Sequence, residues 1–200
     1  MNQQIVIASN NAGKLRELQA MLKPLGIDGV PQSHWSVPEA EEPHATFLEN
    51  ALAKARHASR ATGLPALADD SGLCVPSLGG DPGVNSAYFA GHEGDRETRD
   101  ARNNAKLIEL VRDHEDHSAF YYCVLVFVAS ADDPVPIVAD ARWHGEIVLE
   151  PRGKNGFGYD PYFRTRDHHK TAAELTPEQK NKVSHRGKAL AALTAKLRDR

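Results

Sequence analysis

Two aspartates, Asp69 and Asp70, stand between the apolar run Pro65-Ala66-Leu67-Ala68 and the small polar pair Ser71-Gly72. Carboxylates set this close raise each other's proton affinity unless a cation sits between them, which is the arrangement of an Mg²⁺ site. The apolar run reads as a short buried strand, so the pair falls at a strand end, where open α/β sheets place their ligands. The plain alternative is an Asp-Asp-Ser-Gly turn, since all four residue types favour turns. Just beyond, Gly79-Gly80-Asp81-Pro82-Gly83 holds three glycines and a proline in five residues. Such a backbone can bend sharply and come close to a ligand.

Four other stretches carry residues of the same chemical kind. Ser9-Asn10-Asn11-Ala12-Gly13-Lys14 lies between a β-branched run and a leucine-spaced helix. A helix N-terminus there offers N–H groups and a positive dipole end, and Lys14 adds a full charge, although no Walker A pattern is present. An acidic cluster, Glu39, Glu41 and Glu42, precedes a helix opened by Thr46-Phe47-Leu48-Glu49, a capping box. On that helix Phe47, Leu48, Ala51, Leu52 and Ala55 form an apolar stripe, and Asn50 and Lys54 share the other side. Arg152 to Pro161 is a second glycine-rich loop, and Phe157 and Tyr159 offer rings for a nucleobase or plugs for the core. Near the end, Lys180, Lys182, His185 and Arg186 follow the capping box Thr176-Pro177-Glu178-Gln179. Ser184-His185-Arg186-Gly187 reads as a break between helices that aims an imidazole and a guanidinium together at a planar acceptor.

The elements that must position these groups alternate strand and helix. Ile5 to Ala8 is a strand, Leu15, Leu18 and Leu22 mark the first helix, and Ile27 to Val30 a second strand. A charged segment from Gly94 opens a helix that buries Ala101, Ala105, Ile108 and Val111 and is assigned structure only. Phe120 to Val128 is too apolar for a wetted strand and belongs at the centre of the sheet. It pairs, antiparallel, with the alternating run around Ile137, Ala139, Ala141 and Trp143, through the turn Asp132-Asp133-Pro134. Leu190, Leu193 and Leu197 mark a last amphipathic helix.

At 200 residues, 40% hydrophobic and 26% charged, the chain suits one α/β domain spanning 1–200. A net charge of −3 argues against nucleic-acid binding, because a phosphate-backbone binder carries a basic face. Cys74 and Cys123 show no metal or redox spacing and read as buried thiols. The first residues, Met1 to Gln4, lack a signal peptide's character, and no run approaches about 18 apolar residues, so a cytoplasmic, non-membrane protein is expected.

Together these groups are the parts of a nucleoside triphosphate site, and here the chain resembles the inosine triphosphate pyrophosphatases, also called XTP/dITP diphosphatases. The resemblance is carried, in family order, by Ala8 to Lys14, Thr46 to Ala51, Ala68 to Leu73, Gly79-Gly80-x-Pro82-Gly83, Phe157 to Pro161 and Ser184 to Arg186. It implies Mg²⁺-dependent hydrolysis of ITP, dITP and XTP to the monophosphate and pyrophosphate. By the same resemblance Ser9, Asn10, Asn11, Ala12, Gly13, Lys14 and Lys54 hold the triphosphate, Glu42 and Asp70 hold Mg²⁺, and Asp70 accepts the proton of the attacking water. Ser71 contacts substrate, and Phe157, Gly158, Tyr159, Asp160, Lys180, His185 and Arg186 form the base pocket. It further implies an α/β fold with an elongated, twisted mixed sheet flanked by helices, two lobes with the site in the cleft between them, and a homodimer.

One departure stands out, since Tyr88 occupies the position of a family arginine in Asn85-Ser86-Ala87-Tyr88-Phe89. Two other readings remain open on sequence alone. One is a pyrophosphatase for modified or pyrimidine nucleotides; the other is a nucleotide-binding regulator without catalysis, against which the Lys14, Lys54, Asp69 and Asp70 set speaks.

Overall fold

The computed structural model describes residues 3–198; Met1 and Asn2, part of the segment read as lacking a leader, lie outside them. In chain order the elements are β1 (Gln3–Ile7), α1 (Ala12–Leu22), β2 (Ile27–Pro31), α2 (Phe47–Thr62), β3 (Ala66–Cys74), α3 (Arg96–Val111), β4 (Ser118–Val128), β5 (Ile137–Ile147), β6 (Phe163–Thr165), α4 (Pro177–Val183) and α5 (His185–Arg198). One six-stranded sheet runs in the order β2-β1-β3-β4-β5-β6. It is mixed: β1 pairs parallel with both β2 and β3, and β5 pairs antiparallel with β6. The sheet is flanked by helices, as expected, and β4 lies within it.

By internal contacts the chain forms two compact units. Among the described residues, the first takes in those up to Asp70, Cys123–Ala141 and those from Arg186 onward. Its core joins Ile5 and Ile7 of β1, Leu18 and Leu22 of α1, Leu67, Leu125, Phe127 and, from α5, Leu190 and Leu193. The second takes in Ser71–Tyr122 and Arg142–His185. Its core joins Leu73, Leu107, Val111, Tyr121, Trp143, Ile147, Tyr159 and Phe163.

Three expectations are corrected. The strand through Ala68 does not stop at the aspartates: β3 continues to Cys74, because β4 lies along its other edge after the register with β1 ends at Leu67. On α2, Leu48 is exposed, whereas Asn50 and Lys54 lie on the buried face with Ala51, Ala55 and Ala58. On α3, Asn103, Asn104 and Leu107 are buried where Ala101 and Ala105 were expected. The buried asparagines tie down loops, which alanine cannot do: Asn103 accepts from the Ala90 N–H and donates to the carbonyls of Ser86 and Ala87.

The loop Gly79 to Gly83 closes on itself. Val75 and Gly80 N–H groups donate to the Asp81 and Val75 carbonyls, with Gly80 at φ +100°. It is a tight turn that folds the chain back on the end of β3.

Candidate active site

Successive residues of a strand face opposite sides of the sheet, and this separates the two aspartates. Asp69 shares its face with Leu67 and meets α1 and α5. Lys14 Nζ lies 2.6 Å from Asp69 Oδ1, and Arg186 donates from Nε to Oδ2 at 2.8 Å. Arg186 also reaches Glu17, three residues after Lys14 on α1. The Cys123 thiol donates to Asp69 Oδ2 at 3.1 Å. Burial alone would raise the proton affinity of Asp69, but Arg186 and Lys14 overcome it and hold the carboxyl well below the usual range. Asp69 is thus a fixed anion that organises two cations.

Asp70 faces α2. Lys54 Nζ donates to Asp70 Oδ1 at 2.9 Å and to Glu42 Oε1 at 3.1 Å. The crowding expected between Asp69 and Asp70 is therefore absent, each carboxylate having its own ammonium. Burial raises the pKa of Asp70 above the ordinary carboxyl value against the pull of Lys54. Lys54, despite burial, has its pKa raised by the Asp70 and Glu42 carboxylates and stays charged.

Glu42 lies in the irregular segment before α2, and that segment is pegged by Asn50, whose side chain bonds both the N–H and the carbonyl of His44 at 3.1 and 3.2 Å. Lys54 stands one helical turn further along the same buried face.

The donor set fits Mg²⁺, which keeps several waters and takes one or two protein carboxylates beside substrate phosphates. Asp70 Oδ2 is buried without a hydrogen-bond partner, while Oδ1 is held by Lys54. An orphaned anionic oxygen beside a second carboxylate is what a hard cation would complete. Among the described residues no group of three or more His, Cys, Asp and Glu side chains gathers for a metal, so Glu42 and Asp70 would be the protein's share.

The N-terminal turn of α1 differs from an open cradle. Asn11 caps the helix and its Oδ1 accepts the N–H groups of Gly13 and Lys14 at 3.0 and 3.1 Å, while its own N–H donates to Ser9 Oγ. Asn10 and Ala12 are exposed, and Ser71 is half-buried as the residue after Asp70 on β3.

In the second unit, Asp160 accepts from Lys180 Nζ at 2.6 Å, the Phe157 N–H at 2.9 Å and the Tyr121 hydroxyl at 3.3 Å. The two rings of the glycine loop part company. Tyr159 is a core residue whose hydroxyl donates to the Ser86 carbonyl at 2.8 Å. Phe157 is half-exposed, with Lys180 Nζ 4.8 Å from its ring centroid. His185 stacks on Tyr121 at 4.7 Å and 9°.

The expected joint aim of His185 and Arg186 is corrected, since neighbouring helical residues diverge by about 100°. The imidazole joins the aromatic stack and the guanidinium joins Asp69. Glu17 and Tyr121 were not marked by sequence, and Cys123 was read only as a buried thiol, which it is. Glu17 alone had a signal, its i+3 spacing from Lys14.

A buried carboxylate with one oxygen on an ammonium and the other without a partner, beside a second carboxylate, can accept a proton or hold a cation, here in an α/β frame. The model described as the Ham1 family matches residues 5–196. The chain is 62% identical over 193 residues to the dITP/XTP pyrophosphatase of Burkholderia pseudomallei, covering 96% of this chain and 92% of that protein. It is 59% identical over 194 residues to the dITP/XTP pyrophosphatase of Ralstonia nicotianae, covering 97% and 96%. A HAM1 protein structure from Coxiella burnetii superposes with a TM-score of 0.89 at 48% identity, covering 99% of this chain and 100% of that one. The chain belongs to the Ham1 family. It is an enzyme, a pyrophosphatase.

Proposed function

We propose that this protein hydrolyses the non-standard purine nucleotides ITP, dITP and XTP to the monophosphate and pyrophosphate, with Mg²⁺, and so clears them from the nucleotide pool. The names of its relatives support the substrate class. The observation that carries the chemistry is Asp70, with one oxygen on the Lys54 ammonium and the other buried without a partner.

Water is a poor nucleophile at neutral pH, and a triphosphate repels anions. Glu42 and Asp70 would hold Mg²⁺, whose positive charge would offset the negative charge of the phosphate oxygens and favour attack by water. Asp70 accepts the proton of the water that attacks the α-phosphorus. Lys54 holds Asp70 and Glu42 in place and contributes a charge that burial keeps from being screened. Ser9 to Lys14 hold the triphosphate, Lys14 by its ammonium and the loop by its polar groups; Ser71 adds a hydroxyl.

Base choice falls to the Phe157 to Asp160 loop with Lys180, His185 and Arg186. Phe157 supplies the ring, while Asp160, Tyr159 and His185 shape the pocket by the bonds and stacking described above. Arg186, bound to Asp69, acts through that carboxylate. Adenine would leave buried donors unpaired where a 6-oxo purine satisfies them, at about 1–3 kcal/mol per group.

The test is purified protein with Mg²⁺ and ITP, dITP or XTP beside dGTP and ATP, with pyrophosphate and orthophosphate assayed separately. Pyrophosphate from ITP, dITP and XTP but not from dGTP or ATP, lost with EDTA and with Asp70→Ala, is expected. Orthophosphate as first product would move the attack to the terminal phosphorus and overturn the reading. No product would leave the regulator in its place.

A further inference from the structure

Helix α3 has no part in the function proposed above, yet three of its side chains converge on one stretch of the base loop. Arg96, Asp100 and Asn104 recur every four residues and so lie along one face of the helix. The Arg96 guanidinium carbon is 4.8 Å from the Phe157 ring centroid. Asp100 Oδ2 accepts from the Gly158 N–H at 3.2 Å, and Asn104 Nδ2 donates to the Gly158 carbonyl at 3.0 Å. The loop's own Asp160 takes the remaining groups: its Oδ2 accepts from the Phe157 N–H at 2.9 Å, and its N–H donates to the Phe157 carbonyl at 3.3 Å. All four backbone polar groups of Phe157 and Gly158 are therefore held.

The backbone is thus pinned on both sides of an aromatic side chain that is not itself fully buried. Tyr159, two residues on, shows what a core plug looks like here: fully packed, with its hydroxyl satisfied. Phe157 is half-exposed, and its ring lies against two cations, Arg96 and Lys180. Gly158 adopts φ +62°, a conformation L side chains rarely take, and the clamp closes on that residue. Fixing the backbone before a ligand arrives removes an ordering cost that binding would otherwise meet.

We propose that Arg96, Asp100 and Asn104 are positioning residues that fix the Phe157 ring for stacking on the purine base, and so set how tightly the base is held. This rests on the function proposed above.

The test compares Arg96→Ala, Arg96→Lys, Asn104→Ala, Phe157→Ala and the Arg96→Ala/Phe157→Ala double variant with the wild type. The readouts are kcat and KM for ITP, IMP binding by calorimetry, and a melting curve for each variant. Arg96→Ala is expected to raise KM for ITP about tenfold with kcat nearly unchanged, because a contact made equally in ground and transition states is read in KM. Arg96→Lys should recover part of the lost affinity. The double variant should be no worse than Phe157→Ala alone, since both act through one ring.

An unchanged KM for ITP in folded Arg96→Ala and Asn104→Ala, or additive losses in the double variant, overturns the proposal. Should Asn104→Ala fail to fold, Arg96, whose side chain is 36% exposed, carries the test. If the wild type does not hydrolyse ITP, the function reading fails, and IMP binding then decides the clamp separately: Arg96→Ala must weaken it about tenfold, and equal affinity overturns the clamp too.

Discussion

Cys74 and Cys123 are both buried, and burial governs how they ionise. The Cys74 thiol is pushed up to about 11 by loss of solvation, against the pull of Arg142. The Cys123 thiol is pushed well above its ordinary value by burial and by the Asp69 carboxylate to which it donates. Since the thiolate is the reactive form, the native protein should leave a disulfide-exchange reagent nearly untouched at pH 8. In denaturant two thiols per chain should react. Fast labelling of the folded protein would show that a thiolate is accessible. The sign for stability follows: the unfolded Cys74 thiol ionises near 9.0 and the folded one near 11, so its contribution is whole below about pH 9 and is lost as pH rises towards 11. At this scale sequence named the groups better than their partners. Lys14, Lys54, Asp69 and Asp70 were all marked, but the strand pleat sends the two carboxylates to opposite faces, and nothing in a neighbouring pair of letters shows which way a strand runs on. Cys123 looked like an apolar filler because only the fold brings it to Asp69.

The lesson differs for helices, where polar residues on a buried face mislead a count of apolar ones. The inward face of α2 carries Asn50, Ala51, Lys54, Ala55 and Ala58, and the larger Leu48 is left 45% exposed. Small alanines let the helix lie close to its neighbours, and the two polar residues are tolerated because each is fully used: Lys54 on two carboxylates, Asn50 on both polar groups of the His44 backbone. The strands were easier, because β1, β4 and β5 announce themselves by β-branched runs or alternation that packing does not override. From the α2 arrangement a positioning role follows for Asn50, two residues from pegging Glu42 itself. Asn50→Ala should raise the Mg²⁺ concentration for half-maximal activity by about ten- to a hundredfold, the usual cost of removing a group that orients a metal ligand. The rate at saturating Mg²⁺ should fall far less. An Mg²⁺ titration checks it, and a lowered rate with unchanged Mg²⁺ demand would place the effect on Lys54 instead.

For the whole molecule, composition and charge set the class, six short motifs in order set the family, and the resemblance implied two lobes, but the points where the chain passes from one compact unit to the other could not be read. Three strands cross that division without a linker: β3 passes it after Asp70, β4 after Tyr122 and β5 after Ala141. No change of composition marks those points, since a strand continues through each. What the folded chain does show is a buried carboxylate oxygen that the protein itself leaves unused. Asp70 keeps a buried oxygen without a partner, and Lys54 is buried with its charge; both cost solvation that a bound cation and phosphates would return. A ligand that binds only the folded chain stabilises it by mass action, about 2.7 kcal/mol at a hundred times its dissociation constant. For a chain of 200 residues each kcal/mol moves the melting temperature by about 2–4 °C. Mg²⁺ with a non-hydrolysable ITP analogue should therefore raise the melting temperature of the wild type by about 5–10 °C. With Asp70→Ala, the part of that rise that needs Mg²⁺ should vanish, and the analogue alone should still stabilise through Lys14 and the base loop. A full Mg²⁺-dependent rise in the variant would mean that the cation is held elsewhere, and the assignment of Glu42 and Asp70 would have to be given up.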